Sequence, residues 1–208
     1  MLWIGGGTCV GKTSIAERLS SAHGLRHYRP DRHEHEHASR LDPERHPSMA
    51  AWIARTLDET WVLTDPSRLA AETMQFSRER FGFILEDVLA LAAEGPVVAE
   101  GFQLVPESLA AVVPDRRRAV WLIPDEEFRR AVFFRRGDFI WDTPRQTSDP
   151  ERAQRNRVAR DVVVARRLRA EAAALGFTVV DVTTDTTLDE VAQRVETQFR
   201  PFLDDAAG

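Results

Sequence analysis

Lys12 is the only lysine in a chain of 208 residues that also carries 27 arginines. It stands in Gly6-Gly7-Thr8-Cys9-Val10-Gly11-Lys12-Thr13, which fits the spacing G-x-x-x-x-G-K-[ST] at every fixed position. Glycines at those places let a backbone fold so that its N–H groups converge on the oxygens of an anion. A helix beginning at Thr13 adds its positive amino-terminal end. Lys12 is then placed for the β- and γ-phosphates of a nucleotide, and the Thr13 hydroxyl for Mg²⁺. A compact ammonium and a planar guanidinium are not interchangeable in a tight phosphate cradle. That explains one surviving lysine in a chain that uses arginine as its general cation. Gly6, Gly7, Thr8, Cys9, Val10, Gly11, Lys12, Thr13 and Ser14 are therefore the expected nucleotide contacts, with ATP and Mg²⁺ as ligands. Cys9 sits at a free position and reads as a small filler.

Hydrophobic periodicity indicates the elements that position this loop. Residues 1–5 read as a short buried strand and 13–23 as a helix. A weak strand follows at 25–28, then a polar loop, "RPDRHEHEHASRLDPERHP". Helical spacing covers 49–63 and 66–93. Short apolar runs at 96–101, 118–124 and 177–182 read as strands. Helices are expected over 125–136, 151–175 and 188–199, with a mobile loop at 137–150. Five short apolar strands separated by helices imply an α/β fold whose parallel sheet is covered on both faces. Glu100 ends one such strand, at the edge where ligands bind in open α/β sheets. There it is placed to hold a Mg²⁺-bound water or to contact a substrate.

Composition narrows the function. Net charge is −5, unlike a strongly basic nucleic-acid binder. Between positions 116 and 169 the chain has 15 Arg against eight Asp or Glu, a net of +7 that leaves −12 elsewhere. Such asymmetry suggests that one segment faces an anion. No apolar run approaches the length of a membrane span, and no secretory signal pattern is visible. A single cysteine permits neither an intrachain disulfide nor a cysteine-based zinc cluster. The expectation is a cytoplasmic protein of one domain, 1–208, with neither nucleic acid nor membrane as partner. A guanine-specific N-K-x-D motif needs a second lysine, so a GTPase of that type is excluded.

The stretches "GGGTCVGKTS", "VVAEGFQ" and "IPDEEFRRAVFFRR" together resemble the adenylate-kinase-like group of phosphate-loop kinases. That group includes nucleoside monophosphate, shikimate and gluconate kinases and chloramphenicol phosphotransferase. The resemblance implies a three-layer P-loop NTPase fold with a five-stranded parallel sheet. It also implies a helical acceptor-binding insert at about 31–94 and an arginine-bearing lid at about 136–157. The activity it implies is transfer of the ATP γ-phosphate to a hydroxyl of a small molecule. Two alternatives are a nucleoside or nucleoside monophosphate kinase, and a regulatory module that binds ATP without turnover. Where the monophosphate kinases carry Asp-Gly-Phe-Pro-Arg, this chain has Glu100-Gly101-Phe102-Gln103-Leu104. The arginine near an acceptor phosphate is missing, which moves weight toward an acceptor without one.

By the same resemblance, Asp31 is the acceptor-activating base, with Glu34 and Glu36 as rivals. Lys12, Arg135 and Arg157 are the candidate catalytic cations, and Arg130, Arg136 and Arg160 further nucleotide contacts. A bidentate guanidinium matches the equatorial oxygens of a transferring phosphoryl group. Asp31, Glu100 and Phe102 are the expected acceptor contacts, and Thr13 with Glu100 the expected Mg²⁺ site. Trp52, Trp61, Phe76, Phe81 and Phe83 read mostly as core of the acceptor region. "TTDTT", after the last strand, sits where the group contacts adenine. His33, His35 and His37 alternate, but read as a solvated loop rather than a zinc site.

Overall fold

The computed structural model describes residues 1–135 and 138–203. Leu2–Gly6 (β1) leads through the glycine-rich loop into Lys12–His23 (α1), then Arg26–Tyr28 (β2). A 3₁₀ turn at Pro30–His33 and four helices follow: Glu34–Ser39 (α2), Pro47–Ile53 (α3), Leu57–Trp61 (α4) and Pro66–Ala92 (α5). Val97–Glu100 (β3), Pro106–Ala110 (α6), Ala119–Pro124 (β4), Glu126–Arg135 (α7) and Asp138–Arg145 (α8) come next. Pro150–Ala174 (α9), Thr178–Val182 (β5) and Leu188–Leu203 (α10) complete the order.

The five strands form one parallel sheet in the order β2-β3-β1-β4-β5. β1, β3 and β4 are buried along their whole length, as parallel strands under helices on both faces must be. Successive side chains alternate between the two faces. Trp3, Ala99, Trp121 and Ile123 point into one layer, with α5, α6 and α9. Ile4, Val98, Val120 and Leu122 point into the other, with α1 and α10. Trp121 is fully buried, and its indole N–H is satisfied by the Leu104 carbonyl at 3.1 Å. The chain leaves β1 toward the β2 edge and β4 toward the β5 edge. The carboxyl ends of these two central strands therefore bound a crevice of the kind ligands occupy.

Three expectations need correction. The polar stretch after β2 is a loop only in its second half, at 40–46: residues 30–39 form a 3₁₀ turn and then α2. Its histidines consequently do not alternate on an extended strand. His37 is turned inward and is fully buried, so the solvated reading fails for it. Of the loop expected at 137–150, residue 137 lies outside the described residues, 138–145 form α8 with Pro144 tolerated in the last turn, and only 146–149 are irregular. The run at 49–63 is two helices. Thr56 and Glu59 form a reciprocal capping box that starts α4 afresh. The short α6 was not anticipated; Pro106 at its first turn was the available signal.

Phe199 is fully buried between α10 and the sheet. Phe199→Ala is expected to cost about 3–4 kcal/mol, measured as a shift in equilibrium denaturant unfolding.

Candidate functional site

The glycine-rich loop leaves β1 with three left-handed residues, Gly6 at φ 122°, Cys9 at 66° and Gly11 at 86°. Interleaved with ordinary residues, they turn successive N–H groups toward one side. At Gly6 a Cβ would collide with the Leu122 carbonyl oxygen. The same oxygen accepts the Gly7 N–H at 2.9 Å, so the loop is stitched to β4. Gly11 caps α1 without a side-chain bond, and the helix's free N–H groups open into the loop.

Lys12 is 8% exposed, and its ammonium donates to the Gly7 carbonyl at 2.5 Å. Burial pushes it below the ordinary lysine range, opposed by the nearby acids Glu100, Asp31 and Asp161. Thr13 donates from its hydroxyl to Glu100 at 2.8 Å. Glu100 is buried at the end of β3, with Arg29 at 3.5 Å and His27 at 3.7 Å from the same oxygen. Burial pushes its carboxyl up, but His27, Lys12 and Thr13 outweigh this and hold it below the usual glutamate value.

A second carboxylate anchors the other side of the loop. Asp161 of α9 accepts the Thr8 hydroxyl at 2.8 Å and pairs with Arg129 of α7 through the same oxygen. Arg160 lies 3.0 Å from its other oxygen. All three are almost fully buried. Burial pushes Asp161 up, but Arg160, Arg129 and Thr8 hold it low. Two guanidiniums thus share one carboxylate, and Arg129 Nε and Nη1 are buried with no hydrogen-bond partner among the described residues. The Arg160 guanidinium lies over the Trp61 ring at 5.1 Å and the Phe102 ring at 5.3 Å. Its Nη1 reaches the Thr73 hydroxyl at 3.4 Å.

The expected arginines separate. Arg160 joins the site, and Arg157 stands over Trp61 at 5.8 Å. Arg130 does not join it: it is exposed and pairs with Glu126 at 3.5 Å. Arg135 closes α7, and its side chain is outside the described residues; Arg136 lies wholly outside them. Arg129, passed over in the sequence, is the buried member of the 129–130 doublet. Helical phase could have chosen it, since Arg129 and the buried Val132 share a face. Asp161 also had a signal. It is the single acid between Glu151 and Glu171 of the arginine-rich helix.

Asp31 stands in the 3₁₀ turn after β2, exposed, and accepts from Gln103 at 2.7 Å. The loop after β3, which carries Phe102 and Gln103, therefore brings Asp31 to the Glu100 side. Of its rivals, Glu36 is committed to His33 at 3.2 Å. Trp52, Trp61 and Phe76 pack together, Phe81 lies against Trp3, and Phe83 stacks on His37. Beyond the Arg129–Asp161 pair a cavity of about 380 Å³ opens, lined also by Pro124, Asp125, Arg169 and Thr183. Among the described residues no helix is long and apolar enough to cross a membrane. Neither a scan against protein-family models nor a search of curated proteins finds a match to this chain.

Because Glu100 titrates lower in the folded chain, its stabilisation is present above its ordinary value of 4.5 and is lost as pH falls through the folded value. Glu100→Gln is expected to flatten the acid limb of Tm against pH, below pH 4.5 and not at neutrality.

Proposed function

We propose that this protein is an ATP-dependent phosphotransferase whose acceptor is a hydroxyl of a small molecule. The observation that carries the reading is the surplus of buried positive charge around the loop. Lys12 rests on a neutral carbonyl, the Nε and Nη1 donors of Arg129 have no partner among the described residues, and Arg160 shares Asp161 with it. Such cations are costly to bury alone, and a polyphosphate entering between them satisfies all three. The positive-φ loop supplies further donors for its oxygens. The cavity beside Arg129 and Thr183 is adjacent and open for the base.

In this reading the chain belongs with the adenylate-kinase-like phosphate-loop kinases, with α2–α5 as the acceptor side and the α7–α9 region as the lid. The acceptor lies among Asp31, Phe102 and Trp61. Asp31 orients the hydroxyl and takes its proton as the oxygen bonds to the γ-phosphorus and the bond to the β-phosphate oxygen breaks, releasing ADP. Lys12, Arg129 and Arg160 hold the charge spread over the transferring group. Thr13 and Glu100 are the hard oxygen ligands that suit Mg²⁺, directly or through water, and the ion would supply charge neutralisation at the phosphates. Closure of the lid segment excludes water that would otherwise be phosphorylated.

Calorimetry with ATP and Mg²⁺ tests the reading. Lys12→Ala is expected to weaken ATP binding about 100-fold, and unchanged affinity overturns the proposal. Asp31→Asn is expected to bind ATP as the parent does while ADP release in a screen of hydroxyl acceptors falls by a factor of roughly 100 or more. If the parent releases no ADP with any acceptor, the chain is an ATP-binding module instead.

A further inference from the structure

The buried histidine of α2 belongs to a network that the nucleotide site does not use. Arg80, in the middle of α5, is 1% exposed. Its Nε donates to His37 Nδ1 at 3.0 Å and its Nη2 to the Pro30 carbonyl at 2.6 Å. Because Nδ1 accepts, the His37 proton sits on Nε2, which donates to Asp87 at 2.7 Å. Asp87 also accepts from Tyr28 at 2.7 Å and from Arg40 at 3.1 Å. Its oxygens are thus committed, and no carboxylate lies within hydrogen-bond reach of Arg80 among the described residues.

A guanidinium buried on those terms is expensive; an apolar side chain of similar volume would pack the same space without that cost. What only arginine supplies is a pair of fixed N–H groups reaching in two directions. One of them ends on the carbonyl of the residue before Asp31. The Asp31 side chain is held from the opposite side by Gln103 at 2.7 Å. Pro30 itself is pressed against Gly101, where an added Cβ would come within 3.1 Å of the proline ring.

We propose that Arg80, oriented by neutral His37 and Asp87, is a positioning residue for Asp31, acting through the Pro30 carbonyl. This rests on the reading of Asp31 as the acceptor-side base. The turn that carries Asp31 is four residues long and Arg29 gives it no side-chain cap; at its far end His33 stacks on Tyr28 at 4.9 Å, so the Pro30 end is the one that Arg80 holds. A misplaced base costs rate while leaving nucleotide binding alone. Protonation of His37 would aim an N–H at the Arg80 N–H and break the link. The groups facing His37 are Asp87, Arg80 and Phe83 from α5, Tyr28 from β2, and His33 and Arg40 from its own stretch, with Glu36 acting on the neighbouring Tyr28. Burial, helped by Arg80 and Arg40, holds its titration below the ordinary value of 6.5 despite Asp87.

Hydrogen exchange of the full chain with ATP and Mg²⁺ tests this apart from catalysis. The reporter is the Arg32 amide, whose bond to the Arg29 carbonyl closes the turn. In Arg80→Met and His37→Phe it is expected to exchange about tenfold faster, with the 6–13 loop and ATP affinity unchanged. His37→Asn keeps an acceptor near Nδ1 and is expected to restore slow exchange. In the parent, the protection of the same amide, relative to its intrinsic exchange rate at each pH, is expected to drop as pH falls below the ordinary histidine value of 6.5 and through the lower folded value of His37. ADP release should fall about tenfold in Arg80→Met at unchanged KM for ATP, and Arg80→Met should cause no further fall when it is added to Asp31→Asn. Unchanged Arg32 exchange in both variants overturns the proposal. So does faster exchange of the whole chain that His37→Asn fails to restore, which marks plain packing. Should Asp31→Asn release ADP as fast as the parent, the reading of Asp31 as the acceptor-side base fails while the exchange result stands.

Discussion

Charge that has been buried without enough opposite charge organises this protein. At the carboxyl edge of the sheet, Lys12, Arg129 and Arg160 face Glu100 and Asp161. These groups are largely withdrawn from water, so each must be held by a fixed partner or cost several kcal/mol. The loop geometry follows from that requirement. Left-handed residues at 6, 9 and 11 bring carbonyl and N–H groups into reach of the ammonium and of whatever anion joins it. Thr8 and Thr13 extend the arrangement outward, one to Asp161 and one to Glu100. The two carboxylates therefore brace the loop from α9 and from β3, on either side.

The sheet makes this arrangement possible. Its central strands are buried on both faces, so their ends are rigid, and β1, β3 and β4 deliver the loop, Glu100 and the Leu122 carbonyl to one place. Rigid placement matters because the cations gain from an anion only when they do not have to rearrange to meet it. α7 and α9 bring Arg129, Arg160 and Asp161 over the loop from the layer that also buries Trp3 and Trp121. The stability of the fold and the charge at its edge are thus coupled through α9.

The α2–α5 region solves a different problem, that of presenting an exposed carboxylate at a defined spot. Asp31 has a short turn beneath it, and the contacts that hold the turn come from the middle of α5 and from the loop after β3. On the proposed reading this separates two tasks. The loop and α9 grip the nucleotide, and the Arg80–His37–Asp87 network sets the acceptor side. The aromatic rings of Trp61 and Phe102, with Arg160 across them, lie where those two halves meet.

Local pattern in the chain by itself determined the glycine-rich loop, the five strands and most helices. Those features depend on residues close in sequence: glycines at set intervals, apolar runs of strand length, a proline that starts a helix. It also singled out Lys12, Thr13 and Glu100, each tied to a motif or a strand end, whereas Asp31 and Arg160 were named through the resemblance to phosphate-loop kinases. It placed α2 and α8 in loops, because polar composition hid short helices whose stability comes from packing elsewhere. Which arginine of the 129–130 pair turns inward, that Asp161 braces Thr8 across 153 residues, and that His37 is buried against Arg80 were decided only by tertiary structure. The reason is physical. A charged side chain's role depends on which distant partners share its low-dielectric surroundings, and no spacing along the chain encodes that distance.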